Sequence, residues 1–157
     1  MKIGIISDTH RNIKSIDKAI PYLKECDLII HAGDNIDDAE YIYYATDVLV
    51  KCVKGNCDLY NIDEPYELTF LVKDKKFFLC HGHQYDVKWG FDSLLKIAKD
   101  NNIDIVVYGH THIPVYKKID NIIFINPGST TYPRGGSECG FGILTLYNGI
   151  SYKEIKI

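Results

Sequence analysis

The feature that most constrains this chain is where its short hydrophobic runs stop. Five β-rich runs, over residues 2–7, 27–31, 48–53, 76–80 and 103–108, each finish on a polar cluster of Asp, Asn or His. The clusters are Asp8-Thr9-His10, Ala32-Gly33-Asp34, Gly55-Asn56, His81-Gly82-His83 and Gly109-His110-Thr111-His112. They follow one another at about the length of one strand and its connection. Helical patterns lie between them. Residues 13–24 place apolar side chains at 13, 16, 20 and 23, a 3.6-residue period, with Asn12 as N-cap. Residues 91–99 repeat that period, and 36–45 do so more weakly. Strand–helix–strand order predicts parallel pairing with right-handed crossovers.

The later chain changes character. Residues 66–72 and 76–80 read as a hairpin around Lys73-Asp74-Lys75. Runs at 115–119, 122–125, 141–147 and 151–157 read as antiparallel strands, the last two joined by the turn signal Asn148-Gly149. One mixed sheet, or two stacked sheets with helices outside, satisfies this pattern. A length of 157 residues suits a single domain over 1–157. With 46% hydrophobic and 25% charged residues, the chain is not of the disordered class.

Other classes fall away on charge and spacing. No segment approaches the roughly 20 apolar residues of a membrane span. Net charge is −3 with no long basic run, which argues against extended nucleic-acid binding. Asp8 interrupts the N-terminal run before a signal-peptide core could form. The five cysteines are odd in number and form no CxxC pair, so reduced thiols and a cytoplasmic location are expected. Four of them read as small core hydrophobes; Cys57, inside a polar cluster, stands apart. No G-x-G-x-x-G follows the first strand, against a dinucleotide binder.

Ligands of open α/β sheets bind beyond the carboxyl ends of the strands. Those ends carry Asp8, His10, Asp34, Asn56, His81, His110 and His112. Asp8/His10 and His110/His112 are i,i+2 pairs, whose side chains share a side in extended chain. Seven nitrogen and oxygen donors exceed one tetrahedral zinc site and suit two divalent ions sharing a carboxylate. Such a centre keeps net positive charge, which attracts an anion and favours in-line phosphoryl displacement. The donors suit Mn²⁺, Fe²⁺, Zn²⁺ or Ni²⁺ better than copper. His31, in an apolar strand, reads as a packed supporting residue, and Asp58 as a support for the Asn56 loop. His83 divides between support and substrate contact. Arg11 and Arg134 are the only arginines, and each is either a solvated loop charge or a guanidinium fork for phosphate. Trp89 and Phe91 read as buried packing.

Taken together with Gly55-Asn56-Cys57-Asp58 and Asn126-Pro127-Gly128-Ser129, these ordered motifs resemble the calcineurin-like metallophosphoesterases, and within them the YfcE-like phosphodiesterases. The resemblance spans essentially the whole chain. It implies an α/β (α+β) fold, a four-layer αββα sandwich of two mixed β-sheets flanked by helices. It implies one metal on Asp8, His10, Asp34 and His112, and a second on Asp34, Asn56, His81 and His110, with Asp34 bridging and Mn²⁺ favoured. The implied reaction is hydrolysis of phosphodiesters, and of activated monoesters, by a hydroxide bridging the two ions, without a phosphoenzyme. Asp34, Asn56, Cys57 and His81 are then the catalytic candidates, and Arg11, His83 and Arg134 the substrate contacts. The substrate would be a small or nucleotide-like phosphodiester; no membrane partner is implied, and a homo-oligomer is compatible. The broader superfamily carries His after the motif asparagine, where it protonates the leaving group. Cys57 stands there instead, as in YfcE-like members, and a thiol acidified beside metal ions is a candidate weak donor. A rival of another class is a non-catalytic scaffold. A retromer subunit has this fold, and His81-Gly82-His83-Gln84 followed by Trp89-Gly90 resembles its segment. Retention of all seven metal-competent residues favours the enzyme.

Overall fold

The computed structural model describes residues 1–60 and 63–157. In chain order the elements are β1 (Lys2–Ile6), α1 (Ile13–Leu23), β2 (Leu28–His31), α2 (Asp37–Thr46), β3 (Val50–Cys52), β4 (Glu67–Val72) and β5 (Lys75–Cys80). A 3₁₀ turn (His83–Tyr85) follows, then α3 (Asp92–Asp100), β6 (Ile105–Val107), β7 (Val115–Ile119), β8 (Ile122–Asn126), β9 (Gly140–Leu146) and β10 (Ile150–Lys156). The Asn12 side chain caps α1 by accepting the Ser15 N–H at 3.2 Å, as the sequence predicts.

Two mixed five-stranded sheets form, with orders β10-β9-β1-β2-β3 and β4-β5-β6-β8-β7. The stacked-sheet alternative is therefore the correct one. Parallel pairs β1–β2 and β2–β3 sit in the first sheet, and β5–β6 and β6–β8 in the second. The second sheet ends in an antiparallel hairpin at each edge, whereas the first has one at the β10 edge and a parallel strand, β3, at the other. The β4–β5 turn is tighter than expected, because Val72 pairs with Lys75 and leaves only Lys73 and Asp74 between them.

Alternation along each strand explains the layers. Ile3, Ile5, Leu28 and Ile30 of the first sheet meet Phe77, Leu79, Ile105, Val107, Ile123 and Ile125 of the second in one buried cluster. The intervening residues Ile6, Ile29 and Phe141 face outward onto Ile16, Ala19 and Leu23 of α1 and Ile42 of α2. On the far side Phe78, Cys80, Val106 and Phe124 receive Leu94 and Ala98 of α3. The result is αββα. Both faces of these strands are covered, which is why they read as continuous apolar runs.

Burial corrects two details. Trp89 is 89% exposed rather than packed, while Phe91 does pack against the α3 cluster. All five cysteines are unpaired thiols, with Cys26 and Cys80 buried, Cys52 and Cys139 half-buried and Cys57 exposed. No helix among the described residues is long and apolar enough to cross a membrane.

Candidate metal centre

The carboxyl ends of β1, β2, β5 and β6 bring their polar clusters together although they belong to different sheets. The mechanism differs from the extended-chain expectation. Asp8, His10, Asp34, His110 and His112 all adopt left-handed backbone, with φ of 53°, 49°, 60°, 68° and 59°. Asp, Asn and His are the non-glycine residues that best tolerate this region. Each chain turns sharply off its strand, and the turn rather than the pleat aims the side chain. Two glycines permit the close approach. A Cβ on Gly55 would collide with the Asp34 carboxylate and come within 2.6 Å of its backbone nitrogen. One on Gly109 would strike the Ser7 hydroxyl and lie 2.7 Å from Asp8 Oδ2.

Donor atoms of Asp8, His10, Asp34 and His112 all lie within 4.8 Å of one another. His112 Nδ1 donates to the Tyr132 carbonyl at 2.6 Å, and His81 Nδ1 to the Ala32 carbonyl at 2.8 Å. A carbonyl only accepts, so both rings carry their proton on Nδ1 and turn a bare Nε2 inward, the arrangement typical of metal-binding imidazoles. His112 Nε2 then faces Asp8 Oδ1 at 3.1 Å and His10 Nε2 at 3.3 Å. His81 Nε2 faces Asp34 Oδ1 at 3.3 Å and Asp8 Oδ1 at 3.9 Å. Asp8 Oδ2 is occupied by the Ser7 hydroxyl (2.7 Å) and the His110 N–H (3.1 Å), whereas Oδ1 is buried without a partner, as is His81 Nε2. Lone pairs confront lone pairs in a buried space. That arrangement demands positive charge, and a divalent cation fits it.

Titration behaviour reports the same demand. Burial lowers His81, but the carboxylates of Asp34 and Asp8 outweigh it and the net shift is upward. His112 behaves likewise, with Asp8 outweighing burial. Burial alone would raise Asp34, yet His81 and the N–H and thiol of Cys57 hold it well below the usual carboxylate range. His110 is instead pushed down to about 4, by burial and then by His81 and Lys88, which outweigh the carboxylates of Asp8 and Asp34.

A set of buried polar residues holds the loops in register. Asp58 accepts the N–H groups of Asn35, Ile36 and Gly55 at 2.7–3.3 Å, tying the Asp34 loop to the Asn56 loop. His31 accepts the Gly33 N–H on Nδ1 (3.2 Å) and therefore donates from Nε2 to Thr9 Oγ1 (3.0 Å), joining the first two clusters. Ser129 donates to the Asp8 carbonyl at 2.7 Å, Thr131 to the Thr9 carbonyl at 2.8 Å, and Asn126 to the Gly109 carbonyl at 2.8 Å. The Asn126-Pro127-Gly128-Ser129 segment, with Thr131, is thus a brace under two loops, those after β1 and β6. Only its resemblance to a motif pointed there; hydrogen-bonding capacity in a turn is not a readable signal.

The remaining sequence candidates divide. Asn56 and Cys57 line the same depression as His10, Asp34, His110 and His112, with Lys88, Tyr132 and Arg134 on its rim. The Asn56 amide donates to the Cys57 sulfur at 3.5 Å, and the Cys57 thiol donates to Asp34 Oδ2 at 3.3 Å. Burial and then the Asp34 carboxylate push that thiol up to about 11, the reverse of an acidified donor as far as the protein's own groups go. His83 packs beside the centre, its ring tilted against those of His81 (5.4 Å between centroids) and His110 (6.1 Å). Arg11 lies apart, paired with Asp37 at 3.7 Å while its N–H reaches Asp38. Lys88 and Tyr132 were not anticipated; a lone lysine or tyrosine in a loop carries no sequence signal.

A two-layer sheet sandwich that gathers carboxylates and imidazoles into one cation-demanding depression defines a metallophosphoesterase fold. Residues 1–149 match the calcineurin-like phosphoesterase superfamily domain, and the chain belongs to that family. It is 32% identical over 138 residues to a probable metallophosphoesterase of Methanothermobacter thermautotrophicus, covering 85% of this chain and 80% of that one. It is 36% identical over 103 residues to the phosphodiesterase YfcE of Escherichia coli, covering 60% of this chain and 52% of that one. Among solved structures, an archaeal phosphodiesterase superposes with a TM-score of 0.82 at 28% identity, each chain covered completely at 100%. Zinc-complexed Vps29 of Entamoeba histolytica superposes with a TM-score of 0.79 over 99% of this chain and 98% of that one; at 19% identity it shows the fold alone.

Proposed function

We propose that this chain is a dinuclear, metal-dependent phosphodiesterase, one domain over residues 1–157, acting on small or nucleotide-like phosphodiesters. The observation that carries the reading is the pair of buried, partnerless acceptors, Asp8 Oδ1 and His81 Nε2, beside a four-donor cluster. Asp8, His10, Asp34 and His112 would hold one divalent ion, and Asp34, Asn56, His81 and His110 the other, with Mn²⁺ favoured over Fe²⁺, Zn²⁺ and Ni²⁺. When bound, the ions supply Lewis acidity toward the phosphoryl group and acidify water. The protein's part is positioning. Tyr132 and Ala32 carbonyls lock two rings in the ligating tautomer. Cys57 hydrogen-bonds Asp34 from the thiol and the backbone, fixing the shared carboxylate. Arg134 and Lys88 place cationic groups on the rim, where a phosphodiester anion would lie. This reading has no phosphoenzyme: the thiol that lines the depression, Cys57, is pushed up to about 11 and hydrogen-bonds Asp34. A cytoplasmic location and an open choice of oligomer accompany this reading.

The test is a panel of phosphodiesters and monoesters assayed with metal-stripped protein and after reloading with each of the four ions. Activity on diesters restored by Mn²⁺, and absent without metal, is the expected result. Metal-independent hydrolysis would refute the reading, and inertness with every ion would favour the scaffold instead.

A further inference from the structure

Beside the metal depression runs a second cavity of about 380 Å³, lined by Val87, Phe91, Tyr108, Ile113 and Val115 together with Lys88, Thr111 and Arg134. Its size falls in the range of small-molecule sites, ~300–1,000 Å³. The two spaces share a wall. Along the loop after β6, His110 and His112 line the metal depression while Thr111 and Ile113 line the groove. Lys88 and Arg134 line both. Arg134 is anchored there, its N–H donating to the His112 carbonyl at 3.1 Å. Neither cation forms an ion pair among the described residues, and no carboxylate lines the groove. Ile113 is 41% exposed, an apolar side chain presented to the open groove.

An apolar trough ending at two unpaired cations, which themselves border the metal depression, matches one kind of ligand. That ligand is an anion carrying a flat apolar arm. We propose that the groove is the subsite for one aromatic ester arm of the phosphodiester, an aryl group or a nucleobase, with Lys88 and Arg134 holding the phosphate at the junction. This rests on the proposed phosphoesterase reading and narrows its substrate class.

Binding separates the two claims without relying on turnover. Manganese-loaded protein is titrated calorimetrically with methylphosphonate and with 1-naphthylphosphonate, which share the anionic head and differ only in the arm. The wild type should bind the naphthyl compound about tenfold or more tightly, the return expected from burying an aromatic face. Ile113→Asn should bring the two affinities within about twofold while leaving methylphosphonate unchanged; Val115→Thr serves if the first variant does not fold. Arg134→Gln should weaken both compounds alike. Equal wild-type affinities, or a naphthyl preference that survives Ile113→Asn and Val115→Thr, would overturn the groove assignment while leaving the metal centre standing. Failure of both phosphonates to bind would overturn the anion-site reading on which it rests.

Discussion

The two halves of the candidate centre are built differently. Around Asp8, His10, Asp34 and His112 the donors are already converged, three of the four residues are buried, and the His112 ring is clamped at 2.6 Å by a backbone carbonyl. Around Asn56, His81 and His110 only His81 is buried and clamped. Asn56 is exposed and spends its amide on the Cys57 sulfur, and among the described residues neither ring nitrogen of His110 has a hydrogen-bond partner. In the proposed two-ion centre the first half is preorganised against strong like-charge repulsion between acceptors, and the second would gather its donors when an ion arrives. Affinity should therefore differ between the halves, with Asp34 as the residue they share. Preorganisation of this kind depends on the supporting hydrogen bonds as much as on the ligands.

The largest effect should come from that shared residue. Asp34→Asn removes the charge that both halves use, and diesterase activity should fall by at least about 10³-fold. Retention of a tenth of the wild-type rate would mean that the halves are independent.

Next in size is the leaving-group dependence. By the resemblance to the superfamily, Cys57 stands where an imidazole acid is expected, and a thiol pushed up to about 11 is a poor donor at neutral pH. Alkyl diesters should be cleaved slowly and activated aryl diesters readily, a deficit of about 10²–10⁴-fold on poor leaving groups. Cys57→His should recover part of that deficit for alkyl esters only, and Cys57→Ala should change aryl rates little. A rate series against leaving-group pKa is the measurement; a flat wild-type series would show that Cys57 donates.

Asp58 tests whether the open half depends on its tether. Asp58→Ala leaves the buried N–H groups of Asn35, Ile36 and Gly55 without their acceptor, at about 1 kcal/mol or more each. Chemical denaturation should show a loss of about 3 kcal/mol. Metal titration should show the weaker ion lost before the tighter one. An equal loss at both would erase the distinction between the halves.

The smallest effect is on pH. In metal-free protein His110 is held at about 4, below its ordinary value of 6.5, so the unfolded chain takes up its proton first. Stability should decline as pH falls from about 6.5 toward 4, and buried His31, also shifted down by burial, contributes in the same direction. His110→Asn should shrink the difference between denaturation midpoints at pH 7 and pH 4.5. An unchanged difference would place the acid sensitivity elsewhere.

Much of this was legible in the sequence, for identifiable reasons. Strand ends are marked by sharp changes from apolar to polar, so the residues that meet at the centre could be named from Asp8 to His112. The helices showed in their period, and Asn12 in its capping chemistry. The division into two sheets was not decidable, because strands covered on both faces read alike in either arrangement. The left-handed turns at Asp8, His10, Asp34, His110 and His112 were also hidden; Asp and His permit that conformation without requiring it. Arg11 looked equivalent to Arg134, and only folding places Asp37 beside the one and His112 beside the other. Trp89, a large aromatic set between Val87 and Phe91, which both pack inward, gave no sign that it would face solvent.

Metal stoichiometry tests the central claim most directly. Elemental analysis at saturating Mn²⁺ should find two ions per chain in the intact protein. His81→Ala should retain one of them, held by the converged half, and Asp34→Asn should lose occupancy at both. One ion in the intact protein, or an Asp34→Asn variant that keeps two, would contradict the account of two halves joined through a single carboxylate.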